Sequence, residues 1–221
     1  MGISSRRAVT GVATALLLCF MTAGPAVAED APSDGATPDG AAADSTAISA
    51  EQTTDVNDRQ GWEDVDDQPL GERTPTMCDR PETWYTFTSK RNYHVPSWWN
   101  GTKYKDGPGG TMSVSVTRSG TISLEVSGSG EWSAGAILAK AKTTISVKVA
   151  GSVSVATGHS YSHDISRNKY GHLQYGSWGY KTTWKKWRSS GGSSCNTVEI
   201  GHGTATFPTS ETGWKYWETS S

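Results

Sequence analysis

From Ile137 to Val155 apolar and polar residues alternate almost without interruption, a spacing that suits extended, sheet-forming backbone. Ile137, Ala139, Ala141, Thr143, Ile145, Val147, Val149, Gly151, Val153 and Val155 fall on one side. Lys140, Lys142, Thr144, Ser146, Lys148, Ser152 and Ser154 fall on the other. Successive side chains of a strand point to opposite faces, so the run predicts one long amphipathic strand or two joined by a bend. At about 3.3 Å per residue an unbroken strand would reach about 60 Å, which predicts a bend near Ala150-Gly151.

The same period governs the flanking sequence. Trp84, Thr86 and Thr88 alternate with Tyr85, Phe87 and Ser89, and Met112, Val114 and Val116 alternate with Ser113, Ser115 and Thr117. Ile122, Leu124 and Val126 resume the pattern after a turn at Ser119-Gly120. An aromatic series follows through Tyr170, Tyr175, Trp178, Tyr180, Trp184 and Trp187, and ends in Trp214, Tyr216 and Trp217. With regular turn residues and no helical period, residues 76–221 read as one all-β domain, an antiparallel β-sandwich or an elongated sheet.

The chain ahead of it differs. Residues 1–28 have the form of a signal peptide: Arg6 and Arg7, an apolar stretch over residues 12–21, and the small-x-small site Ala26-Val27-Ala28. That stretch is shorter than the roughly 20 residues a membrane-spanning helix needs. The mature protein is therefore expected to begin at Glu29 and to be secreted and extracellular, by either the general or the twin-arginine route. Cys19 is removed with the signal, leaving Cys78 and Cys195 as an expected disulfide closing the domain.

The net charge of −2 conceals an asymmetry. Residues 29–75 carry 13 acidic and 2 basic side chains, whereas residues 76–221 carry 9 acidic and 16 basic. Rich in Ala, Asp, Ser, Gly, Thr and Pro, the acidic segment is expected to be a disordered tail, because it can bury little apolar surface against the entropy of ordering. Trp62, Val65 and Leu70 are its few anchors, set among Glu63, Asp64, Asp66 and Asp67. That pattern reads either as a spacer folding back on the basic domain or as a short motif that orders on a basic partner.

Motifs for chemistry are sparse. His159 and His163 lie four apart, about 13 Å along a strand, too far for one metal ion. Gly158-His159-Ser160-Tyr161-Ser162 lacks the final glycine of a nucleophile elbow. Glu125 and Glu131 could face one another across a turn, but exposed hairpin carboxylates are commonplace. The expectation is a protein that is not an enzyme, without metal or cofactor. For binding, Trp98-Trp99 reads as a loop tip, since adjacent strand residues cannot both face one core, and Lys181, Lys185 and Lys186 form a basic strip among aromatics. No nucleic-acid partner is expected.

The Ser/Thr-rich alternation from Thr111 to Ile165, followed by Tyr161-Ser-His-Asp-Ile165 and Asn168-Lys169-Tyr-Gly-His-Leu-Gln-Tyr175, resembles aerolysin-type β-pore-forming proteins in texture. That likeness implies strands able to line a membrane barrel, and it alone brings in a membrane. The layout of signal, acidic arm with Trp62 and Val65, and disulfide-closed β-domain resembles the adaptor subunit of the umbrella toxin particles secreted by Streptomyces. It implies a non-catalytic adaptor in a secreted toxin complex of interbacterial antagonism. One secreted partner with a basic cleft would take the tail, at Trp62, Glu63, Asp64, Val65, Asp66, Asp67 and Leu70, and another would dock on the β-domain. The alternatives are a small pore former and a secreted glycan or cell-envelope binder.

Overall fold

Tyr170–Ser189 is a twenty-residue run rich in Tyr, Trp, Thr and Gly, without a proline, and it forms the strand on which the molecule is built. The computed structural model describes residues 46–71, 80–191 and 195–221. In chain order the strands are β1 (Ala47–Ile48), β2 (Thr54–Asp55), β3 (Gln68–Pro69), β4 (Thr83–Pro96), β5 (Lys103–Asp106), β6 (Gly110–Ser115), β7 (Gly120–Ser123) and β8 (Glu125–Gly130). A helix, α1 (Ala134–Thr144), precedes β9 (Ser152–Val155), β10 (Ser160–Ile165), β11 (Tyr170–Ser189), β12 (Thr197–Phe207) and β13 (Glu211–Thr219). The fold is thus predominantly β.

At about 3.3 Å per residue β11 runs for about 65 Å, and it is paired along its length. On one side its first half pairs antiparallel with β13 and its second half with β12. On the other it pairs with β5 and then, for most of its length, with β4. Between Gln174 and Gly179 every residue is buried, because both faces of the strand are covered there, so no polar–apolar alternation marks it. Gly179 permits this crowding: a Cβ on it would lie 2.0 Å from the Phe207 carbonyl oxygen.

Two apolar clusters lie along β11. Leu173, Tyr175 and Trp214 pack with Met112, Val114, Ile122, Val155 and Ile165, contributed by the smaller pairings of β6 with β10 and of β7 with β9. Farther along, Trp184, Phe87, Ala205 and Phe207 pack with Ile137, Leu138, Ala141 and Ile145 of the α1 segment. That helix corrects the strand expected over residues 137–155. Ile137, Leu138, Ala141 and Ile145 also share one helical face, and the alanines between them favour helix strongly. Ser133 caps its N-terminus, its Oγ accepting from the Ala136 amide at 3.5 Å, and the Tyr85 hydroxyl accepts from the Ser133 amide at 2.8 Å. Only beyond Ala150-Gly151 does the run become the strand β9.

A second correction concerns the tail. The expected signal peptide, residues 29–45 and 72–75 of the tail, and Cys78 lie outside the described residues. Residues 46–71 do not form a free tail: β1 pairs parallel with β9, β2 parallel with β13, and β3 antiparallel with β4. Order in this stretch comes from the edges of the body rather than from its own apolar content, in keeping with the alternative that the segment folds back on the basic domain.

Trp184 is fully buried, with its ring edge-on to Tyr85 at 6.0 Å and its Nε1 donating to the Thr204 carbonyl at 3.3 Å. Trp184→Ala should therefore cost about 3–5 kcal/mol of stability, measured as a lowered midpoint of urea unfolding.

Candidate functional site

The most elaborate set of interactions outside the core is the seat of the arm, residues 54–70, on β4, β10, β11 and β13. It begins with backbone. The amides of Thr54, Val56 and Asp58 donate to the carbonyls of Ser210, Thr212 and Trp214 at 2.7–2.8 Å, extending the sheet by a short parallel strand. The Trp178 indole donates to the Val56 carbonyl, and the Trp214 amide to Asn57 Oδ1 at 3.0 Å. Gly213 makes the approach possible, since a Cβ there would lie 2.1 Å from the Val56 oxygen.

Side-chain pairs line the seat. Asp55 faces His159 at 3.3 Å. Asp58 accepts from the Tyr161 hydroxyl at 3.2 Å and faces His163 at 3.6 Å. His159, Tyr161 and His163 are alternate residues beginning just before β10, so they project from one face of it. Burial, then Asp58, pushes the Tyr161 hydroxyl up to about 12. Arg59 pairs with Glu211, which also accepts from Lys148 at 2.8 Å; chiefly that lysine, with Arg59 assisting, holds the Glu211 carboxyl below its ordinary range. Glu63 accepts from the His94 amide at 3.1 Å and pairs with Lys215. Burial lowers the Lys215 ammonium although that carboxylate sits against it.

Trp62 closes the seat. Its ring lies edge-on to Trp178 at 6.5 Å and tilted on Tyr180 at 5.9 Å, with the Arg59 guanidinium 3.9 Å above it. These stacking and cation–π contacts hold the ring against the body, while its indole nitrogen is buried without a hydrogen-bond partner among the described residues. Beneath, His94 tilts against Trp178 at 4.3 Å, its Nε2 3.2 Å from the Gly213 carbonyl. Burial drives the imidazole down to about 4.

The sequence-predicted arm residues therefore separate into two groups. Trp62, Glu63 and Leu70 turn toward the body, Leu70 against the Phe87 cluster. Asp64, Val65, Asp66 and Asp67 are exposed, Val65 at 43%. The body residues that receive the arm (His94, His159, His163, Glu211 and Lys215) were not singled out as binders from sequence. The alternate spacing of His159, Tyr161 and His163, opposite a carboxylate-rich arm, was the available signal.

On the body the expected basic strip is not one surface. Lys181 lies over the Tyr93 ring at 5.6 Å, Lys185 pairs with Glu199 at 3.4 Å, and Lys186 approaches Glu131 at 3.7 Å. Lys185 and Lys186 are neighbours on a strand, so they point to opposite faces. Trp98 and Trp99 also part: Trp98 is 76% exposed, while the Trp99 ring packs over Gly120 and donates to the Arg118 carbonyl at 2.9 Å. Cys195 is described, but its expected partner Cys78 is not. Compared with known proteins, the chain matches no protein-family model and no curated protein.

Two outcomes are expected. Trp62→Ala should raise hydrogen exchange at the Val56 and Asp58 amides and leave exchange along β11 unchanged, as read by mass spectrometry. His94 is neutral when folded and protonated when unfolded between pH about 4 and 6.5, so the unfolded chain binds more protons there and stability rises with pH. Urea unfolding at stepped pH should show about 3 kcal/mol lost as pH falls through that window. His94→Gln should remove this slope.

Proposed function

We propose that this chain is a secreted, non-catalytic adaptor that joins two other secreted proteins in an extracellular toxin complex. The observation that carries the reading is the division of the arm. Trp62, Glu63 and Leu70 anchor it to the body, and Asp64, Val65, Asp66 and Asp67 remain exposed as an acidic ridge with one apolar member. Such a ridge suits a partner with a basic cleft, where complementary charge sets orientation and speeds encounter. The second partner docks on the cationic body.

The arm serves as a displayed surface rather than a loose leash. Partner binding then orders little further chain, which avoids the free-energy loss of coupled folding. The histidine–carboxylate pairs that would otherwise suggest acid–base work, Asp55 with His159 and Asp58 with His163, hold the arm in place. The pore-forming alternative drew on alternation from Thr111 to Ile165, and α1 (Ala134–Thr144) interrupts that span with a helix, so the adaptor reading is preferred.

Affinity capture of the tagged chain from the culture medium of the organism that secretes it, read by mass spectrometry, should return secreted partners in stoichiometric amount. Replacing Asp64, Asp66 and Asp67 together by Asn should lower recovery of one partner by about tenfold or more, and added salt should have the same effect. Recovery of the chain alone, or of every partner undiminished by the triple replacement, would overturn the adaptor reading.

A further inference from the structure

Trp98 presents a large apolar ring to solvent, and the loop that carries it is firmly braced. The Ser97 Oγ donates to the Tyr175 carbonyl at 2.6 Å, and Thr102 Oγ1 to the Trp99 carbonyl at 2.7 Å. The buried Gln174 amide donates to the carbonyls of Ser97 and Thr102 at 3.0 and 3.2 Å. The Trp98 indole donates to Glu125 Oε1 at 3.1 Å, which sets the ring's orientation. A ring so held loses little freedom when something stacks on it, the condition under which an exposed aromatic contributes to binding.

Beside the ring lies an open cleft of about 320 Å³. Ile122, Pro96 and Trp99 supply its apolar lining, and Thr121, Ser123 and Glu125 its polar groups. The polar groups follow strand spacing: Thr121, Ser123 and Glu125 are alternate exposed residues, and Ile122 between the first two is buried. A row of two hydroxyls and one carboxylate thus stands next to a flat aromatic face. A carboxylate has about four acceptor sites, of which the indole takes one.

We propose that this cleft binds a saccharide, one pyranose ring stacking its C–H face on Trp98 while its hydroxyl or ammonium groups donate to Glu125 and the hydroxyls of Thr121 and Ser123 hold the rest. Among the described residues Glu125 is the only charged side chain in the lining, so the ligand is neutral or an amino sugar, and sulfated, phosphorylated or carboxylated glycans are excluded. The volume is at the small end of ligand sites, enough for a short stretch of a chain rather than a whole polymer. This site shares no residue with the arm and does not depend on the adaptor reading.

The test is isothermal titration calorimetry of the intact secreted protein with five probes: hexasaccharides of glucose, of N-acetylglucosamine and of glucosamine, a heparin oligosaccharide, and oligo-lysine. Binding of at least one of the three uncharged or cationic sugars is expected, and which one binds identifies the ligand class. Trp98→Ala should weaken it about tenfold or more, the weight of one lost stacking contact. Glu125→Gln, which keeps the ring's neighbour but not its charge, should weaken it about threefold and abolish any preference for glucosamine. Circular dichroism should be unchanged in both variants, because both side chains are exposed, and replacement of Asp64, Asp66 and Asp67 by Asn should leave the sugar affinity as it was. The proposal is overturned if no sugar binds at millimolar concentration, if only heparin or oligo-lysine binds, or if Trp98→Ala leaves the sugar affinity unchanged.

Discussion

Everything in this molecule hangs on the pairing of β11 along both of its edges. A strand of twenty residues carries a long row of amide donors and carbonyl acceptors, and burying them without partners would be prohibitive. Four strands supply those partners, β13 and β12 in succession on one side and β5 and β4 on the other. Because partners change along its length, the two ends of β11 carry different cores, one roofed by short strands and one by a helix.

Edges remain after such an arrangement, and the arm covers part of them. An uncovered strand edge invites pairing with other chains. By adding β2 to β13, β1 to β9 and β3 to β4, residues 46–71 occupy edges that would otherwise be open. Strands of two residues are weak alone, and here side chains supply the hold. Carboxylates on the arm meet two histidines and one lysine on the body, and Trp62 fits against Trp178, Tyr180 and Arg59. The acidity of the arm thus has two uses: Asp55, Asp58 and Glu63 bind inward, and Asp64, Asp66 and Asp67 face out.

The surfaces left for other molecules are correspondingly specific. The lysines that looked like one basic strip are divided between ring contacts and ion pairs on different faces. By contrast the acidic ridge and the Trp98 cleft are both held by well-bonded scaffolding and both reach solvent. Under the two proposals, one would meet a cationic protein surface and the other a neutral or amino sugar.

Residue pattern alone was enough for the predominantly β character of the chain, because period two leaves its mark wherever one face of a strand is buried and the other wet. It was enough as well for the solvent-exposed Trp98, since two adjacent tryptophans cannot share one core. Ile137 to Ile145 defeated it: every fourth residue, Ile137, Ala141 and Ile145, together with Leu138, also falls on one helical face, and packing against Trp184, Phe87 and Phe207 adds to the local preference to select the helix. The arm defeated it for another reason. Local composition measures what a segment can bury by itself, whereas residues 46–71 draw their order from Gly213, His159, His163 and Lys215, which stand far along the chain. Such contacts exist only once β10, β11 and β13 have come together, and that is a decision of tertiary structure.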